Sequence, residues 1–447
     1  MAKVGIRRED KSAWERRTPL VPDDVGHLVH EDGLEILVQR APNRCFPDDE
    51  YARAGAVLTD DLAAADVVLG VKEIPAERLE AAKAYMFFSH TMKGQSHNMP
   101  MLRRLLELGG TLLDYELVVD ERGLRTIAFG RHAGLAGAID TLWALGRRFA
   151  GEGRDTPFAR IRQAFEYGEL AAAHDEIRRA GAEIARGLPA ELSPLAIGVT
   201  GAGGRVSGGA LEVLELLPAR RVDPDELAAV VASQRGPAKE ILLVSYGPEH
   251  LVEPIAAGAS YDWDDYVAHP ERYRSRFAPH LALLTALVHG IFWREGYPRF
   301  ILRKDLAQLW SQAEPRLRII TDVTCDPGGS NESLVHVTDP GNPMYVFDPV
   351  TGETTDGCIG RGPVVLPVDI FPAELPRDAS RHFSSVLAPL VPALAGAAGP
   401  VDPSNAAIPA ALRGSFIAFR GKLLPRWEGE LREPLRAHGE AGAETGA

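Results

Sequence analysis

The chain has 447 residues, enough for two or three domains with buried cores. It is 45% hydrophobic and 25% charged, and its net charge of −13 excludes the basic footprint of a nucleic-acid-binding protein. Three widely spaced cysteines, Cys45, Cys325 and Cys358, exclude a disulfide framework and a zinc-ligand spacing, and the longest apolar runs are too short for a transmembrane helix. The opening Met1-Ala-Lys-Val-Gly-Ile6 enters a strand with no signal-peptide core, so a reducing cytoplasm is the expected location.

Residues 1–130 alternate short apolar runs with helical patterns. Val4–Ile6, Glu35–Gln39, Val67–Val71, Tyr85–Phe88 and Thr111–Asp114 read as strands, and Pro22–His30, Asp48–Gly55 and Met99–Leu108 as helices. This rhythm predicts a mostly parallel sheet with helices on both faces. The stretch Val67-Val-Leu-Gly-Val-Lys72-Glu73 ends a buried run on charged residues, and Tyr85-Met-Phe-Phe-Ser-His90-Thr-Met-Lys93 repeats the plan. In an open parallel sheet, ligands bind beyond the carboxyl ends of the strands, so Lys72 and His90 are expected to bring an ammonium and an imidazole to one cleft. The loop after the first strand, Arg7-Arg-Glu-Asp10 to Trp14-Glu-Arg-Arg17, belongs at the same end. Arginine suits forked recognition of carboxylates, and Arg17 is expected to clamp a substrate there with little bearing on stability.

Residues 131–150 read as a helix with small residues on one face, taken as an interdomain helix, and Gly151–Pro157 as a linker. After a polar helix from about Ala172 to Arg186, the strand Leu195–Thr200 feeds Gly201-Ala-Gly203-Gly204-Arg205-Val206, then a helical run to Leu217. Strand, glycine turn and helix form a dinucleotide-binding unit, in which glycines admit the pyrophosphate and the helix N-terminus faces it. Val206 stands where a third fingerprint glycine would be. Arg220 and Arg221 suit a 2′-phosphate and Asp223 a free 2′-hydroxyl; the arginines are the ground for a modest preference for NADP(H) over NAD(H). Ile241–Tyr246 and Arg318–Asp322 read as further strands, with Asp322 at a carboxyl end of the cofactor domain. Tyr261–Tyr266 reads as an acidic surface turn without calcium-loop spacing, and no metal is expected. Recurrent prolines from Pro340 to Pro376 predict short extended pieces, Ala379–Leu394 a helix, and His438 onward a tail with nothing to bury.

Several stretches carry a family likeness: Ile6-Arg-Arg-Glu-Asp10, Trp14-Glu-Arg-Arg17, Gly70-Val-Lys-Glu73, Phe87-Phe-Ser-His-Thr91, Asp114-Tyr-Glu116, His269-Pro-Glu-Arg-Tyr-Arg-Ser-Arg-Phe277 and Leu375-Pro-Arg-Asp-Ala-Ser380. On these the chain resembles the lysine–2-oxoglutarate reductase portion of the bifunctional aminoadipic semialdehyde synthases. It is similar, more distantly, to lysine-forming saccharopine dehydrogenases and to alanine dehydrogenase and transhydrogenase domains. The glycine turn, Gly-Ala-Gly-Gly-Arg followed by Gly209-Ala210, is closer to the saccharopine dehydrogenase form.

The resemblance implies an α/β protein of two Rossmann-like domains with a cleft between them. Residues 1–130 plus 365–447 would form the substrate domain, and 131–364 the dinucleotide-binding domain. Lys72 and His90 match the family's acid–base pair, Arg17 and Arg125 its arginines near substrate carboxylates, and Glu73 and Glu116 the acids that tune the pair; Lys93 is grouped with the substrate-binding residues. Gly201, Gly203, Gly204, Arg205, Val206, Arg221 and Asp322 are the expected cofactor contacts. The implied activity is reductive condensation of L-lysine with 2-oxoglutarate to saccharopine, with an alanine- or opine-type dehydrogenase as the alternative and a non-catalytic sensor as a third reading. The expected partners are these small molecules, with no nucleic acid and no membrane. Onward oxidation of saccharopine is expected to fall to a separate glutamate-forming dehydrogenase polypeptide.

Overall fold

The computed structural model describes residues 2–311, 315–396, 402–404 and 408–438, so the tail expected beyond His438 lies outside the described residues. The chain divides into two units, 1–129 with 376–447, and 130–375.

In the first unit, short apolar runs form the strands β1 (Val4–Ile6), β2 (Ile36–Gln39), β3 (Val57–Thr59), β4 (Val67–Leu69), β5 (Ala84–Phe87) and β6 (Thr111–Asp114), of which β1, β4, β5 and β6 are buried throughout. They pair in parallel in the order β3-β2-β1-β4-β5-β6, a doubly wound sheet whose strand order reverses between β1 and β4. β4 is shorter than its apolar run, because Gly70 and Val71 already lie in the loop. β3, half-exposed and three residues long, has no counterpart among the expected strands. The chain returns to cover the β6 edge with Phe416–Phe419, antiparallel to β6, followed by Lys422–Leu423. The helix Pro22–His30 carries Pro in its first turn, Asp23 and Asp24 beside the positive end of its dipole, and His27 and His30 in its last turns. Helix Pro376–Leu387 buries Ala379, Phe383 and Leu387, and its Ser380 and Ser384 hydroxyls accept the backbone N–H groups of Thr18 and Val21 at 3.0 and 2.9 Å.

The second unit has β7 (Ala196–Thr200), β8 (Ala219–Arg221), β9 (Ile241–Tyr246), a separate hairpin of β10 (Val252–Pro254) and β11 (Tyr273–Ser275), then β12 (Ala286–His289), β13 (Ile319–Asp322), β14 (Tyr345–Phe347), β15 (Thr354–Asp356) and β16 (Val364–Leu366). Its main sheet runs β15-β14-β16-β13-β12-β7-β9-β8, parallel from β16 to β8 and antiparallel at β14 and β15. β16 pairs in register with β13, so residues 365–375, expected with the first portion, belong to this unit. The acidic stretch expected as a turn is the short helix Trp263–Ala268, capped by the Asp262 carboxylate accepting Asp265 N–H at 2.8 Å.

The helix Gly130–Gly151, read from sequence as interdomain, packs inside the second unit against the helix Arg205–Leu214. Two glycines make the approach possible. A Cβ on Gly134 would lie 1.9 Å from the Val206 carbonyl oxygen, and one on Gly209 would lie 2.1 Å from that of Arg131. Both obstacles are backbone, so the helices must separate to admit a methyl group. Gly134→Ala and Gly209→Ala are each expected to lower unfolding free energy by on the order of 1–3 kcal/mol. Gly208→Ala, in the same helix but with open space around its Cβ, is the control and should be neutral or stabilising. Urea unfolding measures all three; a Gly134→Ala protein as stable as wild type would disprove the backbone contact.

Candidate active site

The carboxyl ends of β1, β4, β5 and β6 gather the charged residues of the first unit around the point where strand order reverses. Two buried carboxylates set the backbone there. Glu9 accepts the N–H groups of Val71 and Lys72 at 2.8 and 3.0 Å, fixing the chain as it leaves β4. Burial raises the Glu9 pKa, with Arg7 and these N–H groups opposing. Asp114, at the end of β6, accepts Ser89 N–H at 3.0 Å and the Ser89 hydroxyl with one oxygen, and Glu116 N–H at 2.8 Å with the other. The Ser89 hydroxyl also lies 2.9 Å from that of Thr91. Between these two residues stands His90 at φ +51°, in the left-handed region that a histidine rarely occupies. Asp114 therefore holds both the turn carrying His90 and the residue carrying Glu116.

The side chains form a line of two cation–carboxylate pairs with an imidazole between them. The Lys11 ammonium donates to Glu73 at 2.9 Å, and the other Glu73 oxygen lies 3.7 Å from His90 Nε2. His90 Nδ1 lies 3.8 Å from Glu116, whose second oxygen accepts from Arg125 at 2.9 Å. The His90 ring stacks on Phe88, which packs among Tyr115, Phe129 and Phe383. Burial pushes the Glu73 carboxyl up, but Lys11, a backbone N–H and His90 together bring the net shift downward. His90, Arg125 and Lys93 hold Glu116 down against its burial. Desolvation lowers the Lys72 pKa below the ordinary lysine value and the neighbouring Arg17 lowers it further, while Glu15 and Glu73 oppose. Lys93 and Arg125 are exposed, whereas Lys72, Glu73, His90 and Glu116 are partly buried.

Arg17 differs most from its expected setting. It is buried, it donates from Nε at 2.8 Å and Nη2 at 2.5 Å to the two oxygens of buried Glu15, and its guanidinium lies 4.3 Å from the centre of the Phe129 ring. Burial alone would raise the Glu15 pKa, and this fork brings it below the ordinary carboxylate value. An arginine so placed is part of the packed structure, which departs from the expectation that it bears little on stability.

In the second unit, the glycine turn follows β7, where strand order again reverses, between β7 and β12. Gly201 and Gly203 adopt φ +82° and +79°, and a Cβ on Gly201 would lie 2.9 Å from the Gly290 carbonyl oxygen. Gly204 caps the helix that begins at Arg205, and Val206 fills the space beneath Gly290. Val206 thus does the packing expected of a third glycine position by meeting glycines on its neighbours. Two of the expected cofactor residues are engaged elsewhere. Asp322 is buried and accepts from Thr324 and Asn331, and Arg221 pairs with Glu215. Arg220 and Arg221 lie on β8 at the sheet edge, with β9 between them and β7, so the sequential second strand is not the spatial neighbour of the glycine turn.

Both units thus have the mostly parallel, Rossmann-like architecture, each with a reversal of strand order. Residues 5–136 match the family described as "Alanine dehydrogenase/PNT, N-terminal domain". A solved L-alanine dehydrogenase shares the fold at a TM-score of 0.60, with 17% identity over 97% of this chain and 99% of that one. By sequence, the chain is similar to the alpha-aminoadipic semialdehyde synthase of Arabidopsis thaliana, 36% identical over 441 residues, which is 95% of this chain and 41% of the relative. It is also similar to a saccharopine dehydrogenase [NAD(+), L-lysine-forming] of Neurospora crassa, 27% identical over 86% of this chain and 88% of that one. The chain spans less than half the length of the aminoadipic semialdehyde synthases it matches. No helix among the described residues is long and apolar enough to cross a membrane.

Arg17→Leu is expected to destabilise the protein by about 3 kcal/mol, because it leaves Glu15 buried and unpaired. The paired change Glu15→Gln with Arg17→Leu should restore part of the loss. Equal stability of Arg17→Leu and wild type in chemical denaturation would contradict the buried fork.

Proposed function

We propose that the chain catalyses the reversible reductive condensation of L-lysine with 2-oxoglutarate to saccharopine. The observation that carries this reading is the meeting of a pKa-lowered lysine, a turn-held histidine and flanking arginines at one strand-order reversal. The similarity to aminoadipic semialdehyde synthase and lysine-forming saccharopine dehydrogenase over nearly the whole chain supports the choice of substrates.

The chemistry asks for three proton movements: loss from the attacking lysine amine, addition to the carbinolamine oxygen as water leaves, and return when the imine is reduced. Lys72, with its depressed pKa, takes the proton from the attacking amine. His90, held between Glu73 and Glu116, delivers a proton to the departing hydroxyl. Arg17 keeps Nη1 without a hydrogen-bond partner among the described residues and presents it to a carboxylate, with Arg125 and Lys93 offering further positive charge.

A reduced nicotinamide dinucleotide supplies the hydride when bound. Gly201, Gly203 and Gly204 would admit its pyrophosphate to the backbone at the start of the helix from Arg205. The sequence ground for NADP(H), the Arg220–Arg221 pair, loses support at the sheet edge. The cytoplasm remains the proposed location, in keeping with three free cysteines.

A steady-state screen of nicotinamide oxidation tests the reading, pairing lysine with 2-oxoglutarate against pyruvate with ammonia. Turnover confined to lysine plus 2-oxoglutarate is expected; turnover with pyruvate and ammonia alone would replace the proposal with an alanine dehydrogenase. Lys72→Met and His90→Gln should each lower kcat roughly 10²–10⁴-fold while circular dichroism stays unchanged. In the forward direction kcat/KM should rise with pH along a limb lying below the ordinary lysine pKa of about 10.4, since the lowered Lys72 pKa makes the neutral amine available earlier. Lys72→Met should abolish that limb, and its persistence would remove Lys72 from the role of base.

A further inference from the structure

The strand order of the second unit points to Glu249 as the residue that reads the adenosine ribose, and to NADH rather than NADPH as the preferred reductant. The inference rests on the proposed dinucleotide-binding role of this unit and adds the choice of nucleotide. In a Rossmann sheet, the ribose 2′ position is read at the end of the strand lying next to the glycine-turn strand, and an acidic residue there accepts a hydrogen bond from the free hydroxyl. By chain order that strand would be β8. By pairing it is β9, which runs beside β7 in register from Ala196↔Leu242 to Thr200↔Tyr246. The glycine turn is tied directly to its end, because Gly201 N–H and Ala202 N–H both donate to the Tyr246 carbonyl at 3.0 and 3.1 Å.

Beyond Tyr246 the chain continues as Gly247-Pro248-Glu249-His250. The Glu249 carboxylate folds back over Gly247: a Cβ there would lie 2.3 and 2.4 Å from its two oxygens. Glu249 is thus the third residue past β9, its carboxylate returned over the first, and glycine at 247 leaves room for it. Its oxygen lies 3.2 Å from His250 Nδ1, and its side chain is about half-exposed (48%). Asp223 and Asp225 also place carboxylate oxygens within 4.8 Å of the His250 ring, and the Arg276 guanidinium approaches Asp225 at 4.0 Å. A 2′-phosphate would meet three carboxylates, with the nearby cations already facing acids. A 2′-hydroxyl would find an acceptor. Arg220 and Arg221 stand one strand further out, and Arg221 is paired with Glu215.

Equilibrium titration of the purified full chain with NADH and with NADPH, followed by nicotinamide fluorescence, tests this without turnover. NADH is expected to bind at least tenfold more tightly. Glu249→Gln should weaken NADH about tenfold, as expected for a charged hydrogen bond, and leave NADPH unchanged or tighter. Arg220→Ala with Arg221→Ala should leave the ratio of the two dissociation constants unchanged. Tighter NADPH binding by wild type, equal weakening of both nucleotides by Glu249→Gln, or a ratio that collapses in the double arginine variant would each overturn the assignment. Binding of neither nucleotide would instead reject the dinucleotide reading of the unit, and this assignment with it.

Discussion

Carboxylate oxygens accepting backbone N–H groups just beyond strand ends are the interaction on which the candidate site depends. Glu9 grips the chain leaving β4, and Asp114 grips the turn leaving β5 together with Glu116, the second residue past β6. Each is buried, so these bonds are made in a medium where an unpaired acceptor would be expensive, and the backbone has little freedom to drift. Lys72, His90 and Glu116 inherit their positions from those two anchors rather than from one another; His90 lies 3.7 and 3.8 Å from its flanking carboxylates, beyond hydrogen-bonding distance. The strained turn at His90 is held because Asp114, Ser89 and Thr91 over-determine it.

The electrostatics derive from the same arrangement. Lys11 faces Glu73 and Arg125 faces Glu116 on either side of the His90 ring, so each acid is held ionised by a neighbouring cation although it is partly withdrawn from water. Lys72 stands outside this line, beside a guanidinium, and its charge is the one that burial disfavours. Neighbouring strand ends therefore carry acids kept charged and a lysine eased toward neutrality, the separation that acid–base chemistry near neutral pH requires.

Much of this was legible in the sequence because apolar runs ending in charged residues report strand ends directly. Lys72, His90 and Glu116 were found that way or by resemblance, and the glycine turn by its flanking strand and helix. What stayed hidden depended on partners distant in the chain. Asp114 was visible as a strand-end acid, but its role rests on Ser89, 25 residues earlier. Arg17 looked like a loop arginine until Phe129, more than a hundred residues on, closed over it and buried its fork with nearby Glu15. The order β8-β9-β7 could not be read at all, since periodicity reports that a strand exists and not which strand lies beside it. β3 and the returning Phe416–Phe419 were missed for a related reason: short strands whose place in a sheet is given by neighbours carry little local signal.

The interrupted path of the first unit bears on how the protein is made. Its sheet begins at Val4, yet the strand that covers the β6 edge is Phe416–Phe419, separated from β6 by the whole of the second unit. On a ribosome, the second unit is a continuous segment and can close its core as soon as it has emerged. The first unit must wait with an open strand edge, a surface prone to pairing with other chains, until Phe416–Phe419 has been synthesised. The continuous unit thus becomes an insertion that folds while its host is still incomplete, and the emergence of that returning strand is the moment at which the unit carrying Lys72 and His90 can be sealed.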